Sequence, residues 1–209
     1  MRVLYYAPGA ASFVVHWLLI ELGLEAELRP VDIAAGEQKR AEYLALNPGG
    51  VVPTYIDDGQ VMCEAAAIAM TLGDHRAGHL APTFDAPARA FYNQWMFHLA
   101  NAVQPLFRIW WYPHEVAGEA NVELAREHVA PRIEAAWQRI DDHLAKNGPY
   151  LLGGQPTVAD FYLTMLLRWS RHMPRPGDRW PHLGALAARM KARPSFARLC
   201  DREGLTEWR

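Results

Sequence analysis

Residues 47–68 constrain this chain more than any other segment. They read Asn-Pro-Gly-Gly, then Val51-Val52-Pro53-Thr54-Tyr55-Ile56, then Asp57-Asp58-Gly59-Gln60, then Val61-Met62-Cys63, then Glu64 and an alanine-rich run. Asn-Pro-Gly-Gly is loop chemistry, because proline fixes φ and glycine admits positive φ. An Asp-Asp-Gly-Gln turn between two apolar runs predicts a hairpin. The alanines after Glu64 predict a helix. Pro53 stands just inside the first apolar run. It has no N–H for a sheet ladder, so the strand is an edge there or the Val52–Pro53 bond is cis.

The segment exposes backbone for a ligand. A cis proline turns the Val52 N–H and C=O away from the sheet, where an extended peptide can pair with them. A helix starting near Glu64 presents unpaired N–H groups, which bind a carboxylate well. Glu64 itself can take an ammonium beside that carboxylate. A peptide with ammonium and carboxylate at one end and a thiol in the middle would fit. A plain hairpin followed by a helix has the same spacing, so the pattern leaves both readings open.

Around this segment the first part of the chain alternates. Arg2–Tyr6 is a short strand, 7–12 a loop of small residues, and Phe13–Leu22 a nearly all-apolar helix capped by Gly23. Glu25–Val31 is a second strand, so the crossover is right-handed and the strands parallel. Lys39–Leu46 is a short helix. The β-α-β-α-β-β-α order, with proline at the third strand, is similar to a thioredoxin-type domain. Gly78–Pro87 reads as a linker. From Ala88 the pattern is helical only. Ala88–Phe107 is long and apolar, with a kink or end expected at Pro105. Asn121–Lys146 is amphipathic, with Val129, Ile133, Ala136, Trp137, Ile140 and Leu144 at helical spacing. Thr157-Val158-Ala159-Asp160 is a capping box before Phe161–Leu167. Leu183–Ala192 is a further helix and Ser195–Cys200 a last turn.

Composition narrows the function class. The 209 residues are 51% apolar with net charge −2, which gives no nucleic-acid footprint. No apolar run is long enough to span a bilayer, and the N-terminus lacks a signal-peptide pattern. Two cysteines, Cys63 and Cys200, make neither a disulfide framework nor a metal site. A cytoplasmic location is expected.

Asn47-Pro48-x-Gly50-x-Val52-Pro53, the Asp-Gly turn and Glu64-x-x-Ala67-Ile68 resemble the glutathione-binding half of a glutathione transferase. The Thr157–Asp160 box, and Ala192–Phe196 with Glu203-Gly204-Leu205, are similar to the helical half. Pro8-Gly9-Ala10, His16 and Leu167-Arg168-Trp169 most resemble the bacterial beta class. The resemblance implies an α/β N-terminal thioredoxin-like domain (1–77), a linker (78–87) and an all-α C-terminal helical bundle (88–209). It also implies glutathione as co-substrate, no metal, and a homodimer that conjugates the thiolate to an apolar, aromatic electrophile.

That chemistry requires stabilising a thiolate whose free pKa is ~8.5. A hydroxyl at the first helix's N-terminus can donate to it, and Ser12 stands there at the expected N-cap. Tyr6 and Tyr5 are alternatives, of which only one can face the site. Val52, Pro53, Glu64 and Ala65 would hold the peptide, with Gln38, Lys39 or Arg40 on the glycine carboxylate. Phe107, Trp110, Trp111 and Trp169 would line the electrophile pocket, placed between the domains. Trp110-Trp111-Tyr112 are consecutive, so on a helix they cannot all face one way.

Three departures from the beta class bear on activity. Ala11 stands where that class usually has cysteine. Ala65 replaces the serine that binds the γ-glutamyl carboxylate in many transferases. No residue matches the class's His-Lys pair securely, with His98 and Asn101 the nearest polar candidates. A glutathione-binding protein with little transferase activity is therefore one alternative. A glutathione-dependent lyase, isomerase or dehalogenase is another.

Overall fold

The computed structural model describes residues 1–75 and 79–209. These form two compact units. The first holds Met1–Thr83 and Lys191–Glu207, the second Phe84–Met190 with Trp208. The expected domain end at Ala77 and linker start at Gly78 lie outside the described residues. The expected 88–209 domain also included the last helix, which the structure places in the first unit.

In the first unit, β1 (Arg2–Tyr6) leads to α1 (Ser12–Leu22), then β2 (Glu27–Pro30). After a 3-10 turn at Glu37–Lys39 come α2 (Ala41–Leu44), β3 (Thr54–Asp57), β4 (Gln60–Cys63) and α3 (Ala65–Asp74). The strand order is β2-β1-β3-β4. β1 is parallel to β2 and antiparallel to β3, which is antiparallel to β4. This is the mixed sheet expected from the sequence. β2 is shorter than expected and ends on Pro30, a position open to proline because β2 is an edge.

α1 is buried on all sides: only Glu21 is not classed as buried. It packs on α3 and on α10 (Pro194–Glu203). Phe13 and Trp17 meet Phe196 edge-on, with ring centroids 6.2 and 5.0 Å apart. The Trp17 indole N–H donates to Ser195 Oγ at 2.8 Å, and Ser195 and Arg193 both bond the Glu21 carboxylate. These aromatic contacts and polar ties fasten the far end of the chain to the first helix.

The second unit is helical: α4 (Ala88–His98), α5 (Gln104–Trp111), α6 (His114–Ala117), α7 (Val122–Asn147), α8 (Val158–Trp169) and α9 (Pro181–Lys191). Pro105 does not end the helical run. A π-helical turn, Leu99–Val103, joins α4 to α5, and Pro105 lies in the first turn of α5. Proline lacks an N–H and crowds the carbonyl four residues back, and a widened turn relieves both. In α7, Val129, Ile133, Trp137, Ile140 and Leu144 are buried as their spacing predicted, while Ala136, of the same stripe, is half-buried. Asp141 accepts the His182 and Leu183 N–H groups at 2.7 and 2.9 Å and so caps α9 from a distance. The capping box is present: Asp160 is fully buried and accepts the N–H groups of Thr157 (2.7 Å) and Leu151 (2.9 Å). No helix among the described residues is long and apolar enough to cross a membrane.

Candidate functional site

Three pieces of backbone meet in the first unit. One is the 7–12 loop between β1 and α1. The second is Val52–Pro53, where the peptide bond is cis. The third is the β4–α3 junction at Glu64–Ala65. A small buried cluster of Ala7, Val31, Tyr43 and Val52, with Ala10 packed against it, joins the first two. The pairing of Thr54 with Cys63 across β3 and β4 brings Glu64 beside Pro53.

Val52 lies outside every strand; β3 begins at Thr54. β3 is an inner strand, so the edge alternative for Pro53 falls away and the proline stands just ahead of the ladder. The Val52 side chain is buried, which anchors the residue and leaves its backbone for a partner. Two groups hold this bend. The Tyr43 hydroxyl and the Asn47 side-chain amide both donate to the Val51 carbonyl, each at 2.8 Å. Tyr43 was not singled out from sequence; its only signal is a tyrosine four residues before Asn47 in the short helix.

Glu64 adopts φ 69° and ψ 108°, a conformation that is a true departure for a residue other than glycine. This turn ends β4 and starts α3 in one step. It leaves the Glu64 side chain exposed and puts the buried Ala65 at the first helical position. The first N–H groups of α3 have no intrahelical acceptor and carry partial positive charge. An ammonium and a carboxylate on one carbon match this pair.

Gln38 and Lys39 reach the same neighbourhood. Gly50 has φ 58°, and a Cβ there would come within 2.8 Å of Lys39 Nζ and 3.0 Å of the Gln38 carbonyl oxygen. Only glycine lets the two segments approach so closely. Lys39 is exposed, with Nζ 3.4 Å from the Gly49 carbonyl oxygen, while the Gln38 amide donates to the Ile33 carbonyl. Arg40 pairs with Glu37.

Ser12 differs from its expected place. Ala11 is the N-cap, and Ser12 is the first helical residue, fully buried. Its Oγ accepts the Ala7 N–H and donates to the Ala7 carbonyl, both at 3.1 Å. The hydroxyl proton is thus engaged within the loop: Ser12 satisfies the Ala7 N–H and shares the Ala7 carbonyl with the Ala10 N–H. Tyr5 and Tyr6 diverge as strand neighbours must. Tyr5 packs on Tyr43 and accepts from Arg29; Tyr6 stands 5.5 Å from the His16 ring, on the α1 side.

Cys63 is half-buried, and burial pushes its thiol up, which keeps it protonated. Cys200 is buried in α10. Among the described residues no group of three metal-ligating side chains comes together.

The aromatic residues of the second unit divide. Phe107 is 1% exposed between Trp137 and Trp169, so it is core and not pocket lining. Its position on α5 faces α7 and α8, and that burial overrides the expectation. Trp110 is half-buried with Arg126 over its ring, and Trp111 is 37% exposed with Arg171 over it. Trp169 is half-buried at the end of α8. His98 lies beside Trp95, and burial pushes its imidazole down. Asn101 is exposed in the π-helical turn.

The cis Val52–Pro53 bend, the Glu64–Ala65 helix start and the small-residue loop before α1 lie together on a thioredoxin-like sheet. Comparison with known proteins gives the family. Residues 10–75 match the family model "Glutathione S-transferase, N-terminal domain", and residues 123–208 match "Glutathione S-transferase, C-terminal domain". Glutathione S-transferase GstA of Escherichia coli O157:H7 is 30% identical, covering 97% of this chain and 98% of the relative. A glutathione transferase homologue from Sulfitobacter, solved with bound glutathione, is 28% identical, with a TM-score of 0.88 and 99% of each chain covered. The beta class enzyme of Sphingomonas chungbukensis is 26% identical, with a TM-score of 0.85, covering 98% of this chain and all of the other.

The chain belongs to the glutathione S-transferase family. It is a glutathione transferase of beta-class likeness, and glutathione is its co-substrate.

Proposed function

We propose that this transferase, a cytoplasmic homodimer, conjugates the glutathione thiolate to an apolar, planar electrophile. The observation that carries the reading is the line formed by the 7–12 loop, Val52 and Glu64–Ala65. Glutathione laid along it pairs its cysteine backbone with Val52. Its γ-glutamyl ammonium meets Glu64, its γ-glutamyl carboxylate the Ala65 N–H, and its glycine carboxylate Lys39 or Gln38. The sulfur then reaches the small-residue loop. There the N–H groups of Ala7, Gly9, Ala10 and Phe13 have acceptors within the protein. The amides of Ala11 and Ser12, at the positive end of α1, are left to hold the thiolate. Tyr6 is the remaining side-chain candidate.

Trp110, Trp111 and Trp169 supply flat apolar surface in the helical unit, which supports an aromatic electrophile. Exposed Phe91 and Phe97 on α4 (62% and 60%), with Phe84 just before it (74%), support a subunit contact along α4. The test is turnover against a panel of aryl halides, epoxides and enones, with light scattering for the assembly state. Conjugation confined to non-aromatic electrophiles would overturn the substrate reading, and a monomer at micromolar concentration would overturn the dimer. One observation favours a second reading, glutathione binding with slow transfer: the Ser12 hydroxyl faces inward. Tight glutathione binding without turnover across the panel would decide for it.

A further inference from the structure

Glu203 is the last residue of α10, and its side chain is fully buried. One carboxylate oxygen accepts the Gly9 N–H at 2.8 Å, and the other lies 2.8 Å from Nδ1 of His16, itself 1% exposed. Every local consideration opposes an acid here. A carboxylate at a helix C-terminus faces the negative end of the dipole, and burial strips its hydration. The sequence gains nothing from it within α10. What it gains lies 194 residues earlier, in the loop that the proposed function assigns to the sulfur.

Gly9 has φ 68°, so its amide direction is set by an external acceptor and not by a regular element. Glu203 supplies that acceptor. His16, one turn after Ser12 on α1, fixes the other oxygen, so the carboxylate bridges the loop and the helix it opens. Ser12 closes the same loop from inside through Ala7. Glu203 therefore sets where the Ala11 and Ser12 amides point.

We infer that Glu203 is a positioning residue for the thiolate: through the Gly9 N–H and His16 it holds the loop amides at the sulfur. This rests on the site reading above and adds to it a group from the far end of the chain.

The test compares Glu203→Ala, Glu203→Gln and Glu203→Asp with Ser195→Ala in the full-length protein. Ser195→Ala breaks the Trp17 tie of the same helix without touching the loop. Thiolate absorbance of bound glutathione is followed against pH, and S-methylglutathione, which has no thiol, reports peptide binding alone. Glu203→Ala should cut the thiolate fraction at neutral pH and kcat about tenfold, for one charge-assisted contact misplaced. S-methylglutathione affinity should stay within about twofold, since its contacts at Val52, Glu64 and Ala65 are untouched. Glu203→Gln retains an acceptor for Gly9 and should restore most of the thiolate. Ser195→Ala should lower stability and leave the titration in place. If Glu203→Ala fails to fold, Glu203→Asp, which withdraws the carboxylate by one methylene, should show the same shift in smaller degree.

Coincident titrations for folded Glu203 variants and wild type would overturn the inference. So would an equal shift in Ser195→Ala, which would make the effect a general loosening of α10. Wild type that binds S-methylglutathione weakly and is indifferent to Glu64 substitution would instead refute the site reading beneath it.

Discussion

Asp160→Ala tests how much the helical unit depends on one buried carboxylate. Asp160 receives the Thr157 N–H at 2.7 Å, the Leu151 N–H at 2.9 Å and the Thr157 hydroxyl at 3.0 Å. Truncation leaves two backbone donors with no partner in a region where Leu151 is 2% and Thr157 8% exposed. Each stranded donor costs about 1–3 kcal/mol. Alanine returns about 0.5 kcal/mol of helix propensity, and a buried charge is removed. The net loss should be about 2–3 kcal/mol, or about 5–10 °C in Tm for a chain of this size. Urea unfolding with unchanged m-value is the assay. A loss below about 0.5 kcal/mol would refute the reasoning. The pH dependence has a definite sign. Burial pushes the Asp160 carboxyl up to about 6 against the hydrogen bonds that oppose it. The folded state therefore holds a proton that the unfolded state has released between about pH 4 and 6, so this group's contribution falls as pH rises through that window. Wild type minus Asp160→Asn should show that decline, and a rise across the same window would contradict it.

Other outcomes follow from the same geometry. Ser12→Ala should cost about 1–2 kcal/mol of stability, because the buried Ala7 N–H loses its acceptor while the Ala7 carbonyl keeps the Ala10 N–H; full stability with a diminished thiolate signal would return the hydroxyl to the sulfur. Trp111→Ala should raise KM for an aromatic electrophile several-fold and leave glutathione affinity unchanged, as steady-state kinetics with both substrates will show. Thiol titration of the native protein should find Cys63 slow and Cys200 silent, with both reacting at once on unfolding. Fast native reaction of either would contradict their environments.

The order of elements along the first unit, the capping box and most of the buried face of α7 were legible because local pattern and final burial agree there. The cis alternative at Val52–Pro53 and the helix start after Glu64 were legible for a related reason: proline and an alanine-rich run declare backbone geometry directly, whereas the positive φ of Glu64 has no local signal. Ser12 was misplaced by one position because Ala11, with no capping side chain, takes the N-cap, and nothing local distinguishes an inward hydroxyl from an outward one. At Pro105 a kink or an end was expected, and the sequence does not reveal that a π-helical turn accommodates the proline instead of ending the run. Phe107 looked like its aromatic neighbours, and only packing against Trp137 and Trp169 separates it from them. The largest gap was long-range. Glu203, His16 and Gly9 each stand in a motif of the resemblance, but nothing in the sequence joins them, and their contacts exist only once α10 lies against α1.

Calorimetric titration of glutathione into wild type and Glu64→Gln tests the central claim most directly. The substitution keeps the side chain's size and the backbone demand at φ 69° and removes only the charge that meets the ligand ammonium. Wild type should bind saturably. The variant should bind about 30-fold more weakly, corresponding to about 2 kcal/mol for loss of a charged partner. Equal affinity for the two proteins would contradict this placement of glutathione on Val52, Glu64 and Ala65.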